Sequence, residues 1–381
     1  MIDVQEINQI ECLAEFRPVW RALLDETVGA SFFHSLEWLE CYWEHFGRGQ
    51  KLRILIVQRE RRPVGILPLV VREERTRVGR VRTLTYPLQD WATFFGPIGP
   101  CAATTLTAGL RHVRRTSRDW DVLDLRWIDA DGDDLGRTPQ AMAEVGFRPC
   151  GQQWDRTSLV ELPDTWQEYW ASREPKFRKN IDRLERRLTE MGSVDFVRFR
   201  GNSSDVGENP RWDLYEACVG LARRSWQGQD GDKTNLCHDG VGSYFRDAHA
   251  SAARYGATDV NLLCLDGRPM AFAYNYRWQG AVHGTRKGFD PEFAHLHPGL
   301  VLQKIMLEDG LRRGDRVYDL GTGDHHSKAP WRTNVRTSYR FTFFPAMVLR
   351  AQLLRCNRWF RRQLRGEHDI ACSPGRGKMR K

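Results

Sequence analysis

The chain has no C-x-x-C pair, no long apolar run and no phosphate-loop signature. Its cysteines stand singly at Cys12, Cys41, Cys101, Cys150, Cys218, Cys237, Cys264, Cys356 and Cys372. Such spacing argues against a cysteine-built zinc site. The odd number argues against a disulfide framework and for reduced thiols, as in a cytoplasm. No apolar stretch approaches the roughly 18 residues that a spanning helix needs. The densest, Val64–Val71, has the length of a strand. The opening residues MIDVQEINQIECLAEF lack the apolar centre of a signal peptide. A soluble, cytoplasmic protein without a transmembrane segment is the expectation.

What is present is apolar material for real cores. Of 381 residues, 41% are hydrophobic and 11% aromatic, enough for two domains of roughly 100 to 200 residues each. The net charge of +9 suits an anionic partner: a phosphate-bearing cofactor, a nucleic acid or an acidic lipid surface. An arginine-rich composition without such a partner explains it equally well.

Hydrophobic spacing predicts helices at about 11–26 and over Ser35–Phe46. In the second, Leu36, Leu39, Trp43 and Phe46 share a face, Ser35 is the N-cap and Gly47 the stop. A hairpin follows at 52–58 and 64–71, then short strands at 81–85 and 93–96, and a helix near 104–117. A strand at 121–127 and a helix ending at 143–147 complete the first half. The second half repeats this order with strands at 260–265, 270–278 and 281–288, a helix at 298–313 and a strand at 316–320. Two anchors align the halves: Arg62-Pro63-Val64-Gly65-Ile66 with Arg268-Pro269-Met270-Ala271-Phe272, and Val122-Leu123-Asp124-Leu125 with Val317-Tyr318-Asp319-Leu320. They imply a duplicated α/β unit with unequal loops.

Between the halves, residues 173–192 set Phe177, Ile181, Leu184 and Leu188 in one apolar stripe, with Lys176, Arg178, Lys179, Arg183, Arg186 and Arg187 around it. A solvated basic face and a nucleic-acid helix are the two readings. Residues 201–210 read as a mobile loop. Pro345–Leu364 reads as a basic amphipathic helix, open to weak contact with a membrane surface or RNA, and the stretch from His368 as a disordered tail.

The densest chemistry lies in DLGTGDHHSKAPW, Asp319 to Trp331. A P-loop fails here, because no Gly-Lys pair follows Gly321 and Gly323 and Pro330 discourages a long helix. A metal pair fails as well: Asp324, His325 and His326 are adjacent, so their side chains diverge, and no metal is expected. A better phosphate binder is Pro298-Gly299-Leu300-Val301. Proline suits the first helical position, glycine lets a ligand approach the backbone, and free N–H groups with the helix dipole suit a pyrophosphate. Arg286 and Lys287, on the preceding strand, add positive charge. An ordinary capped helix is the plain alternative.

These residues resemble the GNAT superfamily, and more closely acetyltransferases of the CelD/BcsL type linked to cellulose and exopolysaccharide synthesis. The resemblance runs from about Phe33 to about Phe344. Its most specific part is GFDPEFAHLHPGLVLQKIMLEDGLRRGDRVYDLGTGDHHSKAPW. It implies a mixed α/β, tandem duplicated GNAT-like fold, as in Fem-type peptidyltransferases. The implied domains are 1–165 without cofactor, 166–345 with an acyl-CoA groove, and a C-terminal helix and tail at 346–381. Strands at about 281–287 and 316–320 would splay around acetyl-CoA or a longer acyl-CoA. Its pyrophosphate would rest on Pro298, Gly299, Leu300 and Val301. Asp319, Asp324 and Lys328 become candidates for deprotonating and orienting an amine acceptor. His283 is an alternative base, because its reference pKa lies nearest working pH. Gly323, His325, His326 and Trp331 are candidates for substrate contact.

Relatives commonly show Gly-Asp-Glu-x-Tyr-Lys where this chain has Gly323-Asp324-His325-His326-Ser327-Lys328. The missing Tyr and Glu leave three readings: a histidine substitutes in proton transfer, the substrate has changed, or activity is reduced. Three functions follow: an acyl-CoA N-acyltransferase acting on a small-molecule or envelope-precursor amine, a Fem-like transferase using aminoacyl-tRNA, and a non-catalytic scaffold.

Overall fold

The computed structural model describes residues 1–88, 94–201, 210–225, 228 and 235–365. Most of the loop expected at 201–210, and the whole tail from His368, lie outside these residues. Contacts divide the chain into two compact units. Unit 1 comprises Met1–Ala30, His34–Arg156 and the chain from Arg336 onward; unit 2 comprises Ser31–Phe33 and Thr157–Val335. The boundaries thus differ from 1–165, 166–345 and 346–381. The C-terminal strand and helix are part of unit 1, because the helix Leu349–Arg365 seats Ala351 and Leu354 against Val81 and Val122.

The first six strands are β1 (Ile2–Ile7), β2 (Lys51–Arg59), β3 (Arg62–Thr76), β4 (Gly79–Thr85), β5 (Val122–Ile128) and β6 (Cys150–Glu161). The rest are β7 (Val194–Arg200), β8 (Thr258–Leu265), β9 (Arg268–Trp278), β10 (Ala281–Phe289), β11 (Val317–Asp319) and β12 (Asn334–Phe343). In unit 1 the order is β1-β2-β3-β4-β5-β12, followed by the first half of β6; in unit 2 it is the second half of β6, then β11-β10-β9-β8-β7. Most neighbours are antiparallel, but β4 with β5 and β10 with β11 are parallel. A helix lies between the members of each parallel pair in sequence, Ala102–Arg115 in unit 1 and Pro298–Arg312 in unit 2. The short strand expected at 93–96 is absent from residues 94–96; nearby, Ile98 makes a single bridge to Ile66.

The repeat read from the sequence is a property of the fold. Arg62 and Arg268 each open the second strand of a hairpin. In both hairpins the register skips one residue beside the proline: Gln58 faces Pro63 and Val57 faces Gly65, while Cys264 faces Pro269 and Leu263 faces Ala271. Proline donates nothing to a ladder, and a bulge beside it absorbs the mismatch.

Unit 2 is built around an apolar core. Val160, Leu184, Met270, Val282, Val301 and Tyr318 are among its buried members, each side chain contributing roughly 1.5–3 kcal/mol by leaving water. The helix Pro175–Met191 buries Ile181, Leu184 and Leu188, and Phe177 packs partly against the same core, as its spacing predicts. Lys176, Lys179, Arg183, Arg186 and Arg187 stay in solvent. A buried ion network spans β7, β8 and the turn before β11. Arg198 and Arg200 share Asp259 at 2.7 and 2.8 Å, and Arg200 also reaches Asp315. Asp259 continues to Asn275 Nδ2 at 2.9 Å, and Asn275 Oδ1 accepts the Tyr318 hydroxyl at 2.9 Å, which ties β11 to the centre of the unit.

Candidate functional site

The parallel pair in unit 2 is short. β10 and β11 match Ala281 with Val317, Val282 with Tyr318 and His283 with Asp319, and there the pairing ends. β10 continues to Phe289 on its other neighbour, β9, with Thr285 bulged out between Gly284 and Arg286. From Gly284 to Phe289, therefore, no strand among the described residues covers the β11 side of β10. A bulge at such a point re-aims the strand. Gly284 is required here, because a Cβ would stand 2.9 Å from the Asp319 carbonyl oxygen. A strand edge with open backbone groups is a surface on which an extended, amide-bearing ligand can pair.

At the apex of this opening, His283 and Asp319 face each other, with Nδ1 3.7 Å from Oδ2. Asp319 is buried, and its Oδ1 accepts the Gly321 N–H at 2.6 Å. The other ring nitrogen of His283, Nε2, is buried with no hydrogen-bond partner among the described residues. The Phe33 ring stands edge-on to His283 at 6.3 Å and to Tyr276 at 5.6 Å, so the imidazole is walled by aromatics. Buried nitrogens without partners are costly and point to an unseen partner.

The loop past β11 is shaped by its own residues. Gly321 and Gly323 take the left-handed backbone, with φ of 78° and 69°. Asp324 is exposed and caps a single turn, His325–Lys328, accepting the Ser327 N–H at 3.3 Å. Hydrogen bonding from the Ser327 hydroxyl and then from its N–H holds the carboxyl below the usual range, with Lys328 and His326 adding to the effect. The Lys328 ammonium is buried against the carbonyl oxygens of Gly321 and Thr322, so it stitches the loop shut rather than facing Asp324 alone. His325 bonds Ser158 through Nδ1 at 3.1 Å, whereas His326 is exposed. The two histidines thus part company, one inward and one outward.

On the third side stands the helix Pro298–Arg312. Its N-cap is His297 in the left-handed conformation, no side chain caps it, and Pro298 occupies the first turn. Gly299 is open: a Cβ there would meet only Phe289, at 3.8 Å. Leu300 is half-buried and Val301 is core. Arg286 stacks over Phe245 at 5.4 Å and donates to the Thr285 carbonyl, so part of its reach is committed. Lys287 touches solvent yet is hemmed in by protein, and this crowding pushes its amine below the ordinary lysine range while the Asp324 carboxylate pulls it back.

The structure brings His283 and Asp319 together, and sets Asp324 within electrostatic reach of Lys287. It does not bring Trp331 to a surface. That ring is buried, edge-on to Phe177 at 4.9 Å, and its carbonyl accepts the Tyr169 hydroxyl. Three residues at the site went unnoticed in the sequence: Phe33, Ser158 and the bulged Thr285. Phe33 and Ser158 lie far from the loop in the chain, and nothing in their local spacing marks them.

Residues 175–329 match the family model described as an acetyltransferase (GNAT) domain. No curated protein matches the chain by sequence. Among solved structures, FemX is similar with a TM-score of 0.59 and 13% identity, over 93% of this chain and 99% of that one. A conserved protein of unknown function from Bacteroides thetaiotaomicron gives 0.55 and 10%, over 90% and 100%. The C-terminal domain of a protein provisionally named a lysylphosphatidylglycerol synthetase, from Agrobacterium fabrum, gives 0.50 and 12%, over 77% and 85%. At these identities the likeness concerns the fold. Residues 175–329 of unit 2 are thus similar to a GNAT acetyltransferase domain, and the mixed α/β fold is shared with these structures.

Proposed function

We infer that unit 2 is an N-acyltransferase that moves an acetyl or longer acyl group from CoA to an amine, with envelope or polysaccharide precursors of the CelD/BcsL kind as the acceptor class. The observation that carries this reading is the opening between β10 and β11, together with the uncapped start of the helix Pro298–Arg312, whose Gly299 lies near Phe289 at the end of β10. A pantetheine arm presents amides that suit the edge, and a pyrophosphate suits the helix N-terminus, with Lys287 on β10 as a further positive charge. Bound there, acyl-CoA supplies an activated thioester.

The chain's own residues do the rest. An amine attacks only when neutral, and it must shed a proton as the C–N bond forms and the C–S bond breaks. His283 takes that proton in this reading, supported by Asp319 at 3.7 Å from Nδ1 and by an Nε2 without a hydrogen-bond partner among the described residues. Asp324, exposed and ionised at the rim, attracts an ammonium-bearing acceptor. Lys328 keeps the Gly321–Thr322 backbone in place, so its part in the reaction is positioning. His325 stands at the sequence position where relatives carry Glu and is anchored by Ser158; the exposed His326 and Gly323 are assigned to the acceptor.

Calorimetric titration with CoA tests the reading. Glutamate at Gly299 meets no steric obstacle, so it should leave the melting temperature unchanged while weakening CoA binding at least about tenfold, roughly 1.4 kcal/mol. Absence of CoA binding at millimolar ligand would sink it. The solvated basic face of the helix Pro175–Met191 favours a second donor, aminoacyl-tRNA. In that case tRNA would co-purify with the protein and be released steeply by salt.

A further inference from the structure

The helix Leu349–Arg365 in unit 1 has two faces with different tasks. One buries Ala351 and Leu354 against Val81 and Val122 and turns Arg358 inward to Asp124 and Thr342. On the other, Leu349, Leu353, Cys356 and Phe360 follow at steps of four, three and four residues, a single stripe along a helix. That stripe is in solvent: Leu349 is 74% exposed, Leu353 46% and Phe360 60%, with Met347 at 93% just before the helix and Trp359 at 50% beside it. Lone apolar side chains on a surface are unremarkable, but a contiguous row is a docking face.

Charge says what docks. Between Pro345 and Arg365 there are six arginines and no acidic residue. Arg350 and Arg361 lie on one flank of the stripe and Arg355 on the other, all exposed. A second copy of the chain, laid face to face, would set arginine rows against each other. Nucleic acid would satisfy the arginines but not the apolar row. A bilayer surface satisfies both: acyl chains receive Leu353 and Phe360, Trp359 rests at the headgroup level, and anionic headgroups meet the arginines.

We propose that the outward face of the helix Leu349–Arg365 docks unit 1 on an anionic membrane surface. It makes the protein peripheral, with the helix lying in the plane of the interface. The proposal is independent of the acyl-transfer reading, since no residue of unit 2 enters it.

The test is co-sedimentation of the full chain with vesicles of phosphatidylcholine alone or of equimolar phosphatidylglycerol and phosphatidylcholine. The protein should bind the anionic vesicles at least about tenfold more tightly than the neutral ones. The double variant Leu353→Glu, Phe360→Glu should lose at least about tenfold in that binding with an unchanged melting temperature, because both side chains are already in solvent. The variant Arg355→Gln, Arg361→Gln should lose the preference for anionic lipid while keeping weak binding to both. No binding to anionic vesicles overturns the proposal, as does binding that the glutamate variant leaves intact. Self-association abolished by that variant, without vesicle binding, assigns the face to a second copy instead.

Discussion

Asp124 in unit 1 and Asp319 in unit 2 occupy the same place in the repeat, yet they live in opposite surroundings. Asp124 is wholly buried and surrounded: Arg126 at 2.9 Å, Arg340, Arg358 at 3.3 Å and the Thr342 hydroxyl at 2.8 Å all reach its carboxylate. The charges of Arg340, Arg126 and Arg358 overcome its burial and hold the carboxyl well below its usual range. Asp319 accepts the Gly321 amide at 2.6 Å and stands 3.7 Å from His283. The strands differ to match. β4 ends at Thr85, one residue beyond its last pair with β5, whereas β10 runs six residues past its last pair with β11. One copy of the unit has closed its opening with an ion cluster and a short strand; the other has kept a free edge, with its aspartate set against a histidine.

The largest expected effect tests the closed copy. Asp124→Ala leaves Arg340 buried without its anion and Arg126 with Glu74 alone, which costs about 3–5 kcal/mol. Urea unfolding should show that loss, while CoA binding by the folded fraction stays as in the parent. A destabilisation under about 1 kcal/mol would mean that the ion cluster is not what holds the closed copy together.

Acid separates the units next. His249 in unit 2 is buried, its Nε2 against the Pro210 carbonyl and its Nδ1 against the Tyr274 hydroxyl, and burial pushes its pKa down to about 4. Unfolded, it titrates near 6.5. Between these values the unfolded chain binds the extra proton. Stability is therefore whole above about pH 6.5 and falls as pH drops toward 4, by about 3 kcal/mol in all. Asp124 and Asp259, held far below the unfolded aspartate value near 3.9, add to the slope only below about pH 5. Hydrogen exchange at pH 5 should show protection declining in unit 2 before unit 1, and His249→Gln should flatten that pH dependence.

Chemistry is the third difference. Asp319→Asn keeps an oxygen for the Gly321 amide, so stability should change by no more than about 1 kcal/mol. It removes the charge that orients and supports His283, and acyl transfer to an amine, read as release of the CoA thiol, should fall about 100-fold. His283→Ala should fall to the same level, and the pair of changes should cost little more than either alone. If the two losses multiply instead, the residues do not act as a unit.

Much of this contrast was legible before any coordinates. The hairpins at Arg62 and Arg268, the helices after each parallel strand and the apolar stripe through Ile181 and Leu188 follow from spacing and from proline. β1, β6, β7 and β12 were not seen. β6 opens with the polar run Gln152-Gln153-Trp154-Asp155-Arg156, and β12 returns to unit 1 from the far end of the chain, which no local pattern announces. At the site, Asp319 is a candidate through the resemblance, as the end of a splayed strand, and His283 through its reference pKa. That they face each other, that Lys328 holds carbonyl oxygens and that Trp331 is core depends on long-range packing.

The smallest expected effect is the one that decides whether the two copies differ in ligand. The helix Ala102–Arg115 in unit 1 also lacks a side-chain cap, so its free amides alone would favour an anion. The space before it, however, is a small cavity lined by Asp129, Asp133 and Asp134 together with His34 and Arg137. Burial raises the carboxyls of Asp129 and Asp134, yet three acids around one cavity oppose a pyrophosphate. Ala103 and Gly299 hold the second position of their helices, and Ala103 is exposed. Ala103→Glu should therefore leave CoA affinity within about twofold of the parent, against the tenfold loss expected for Gly299→Glu. Native mass spectrometry should find one CoA per chain in the parent and in Ala103→Glu. Two CoA molecules per chain, with one lost in each variant, would show that the acids of unit 1 do not exclude the ligand and that closure of the first copy is only apparent.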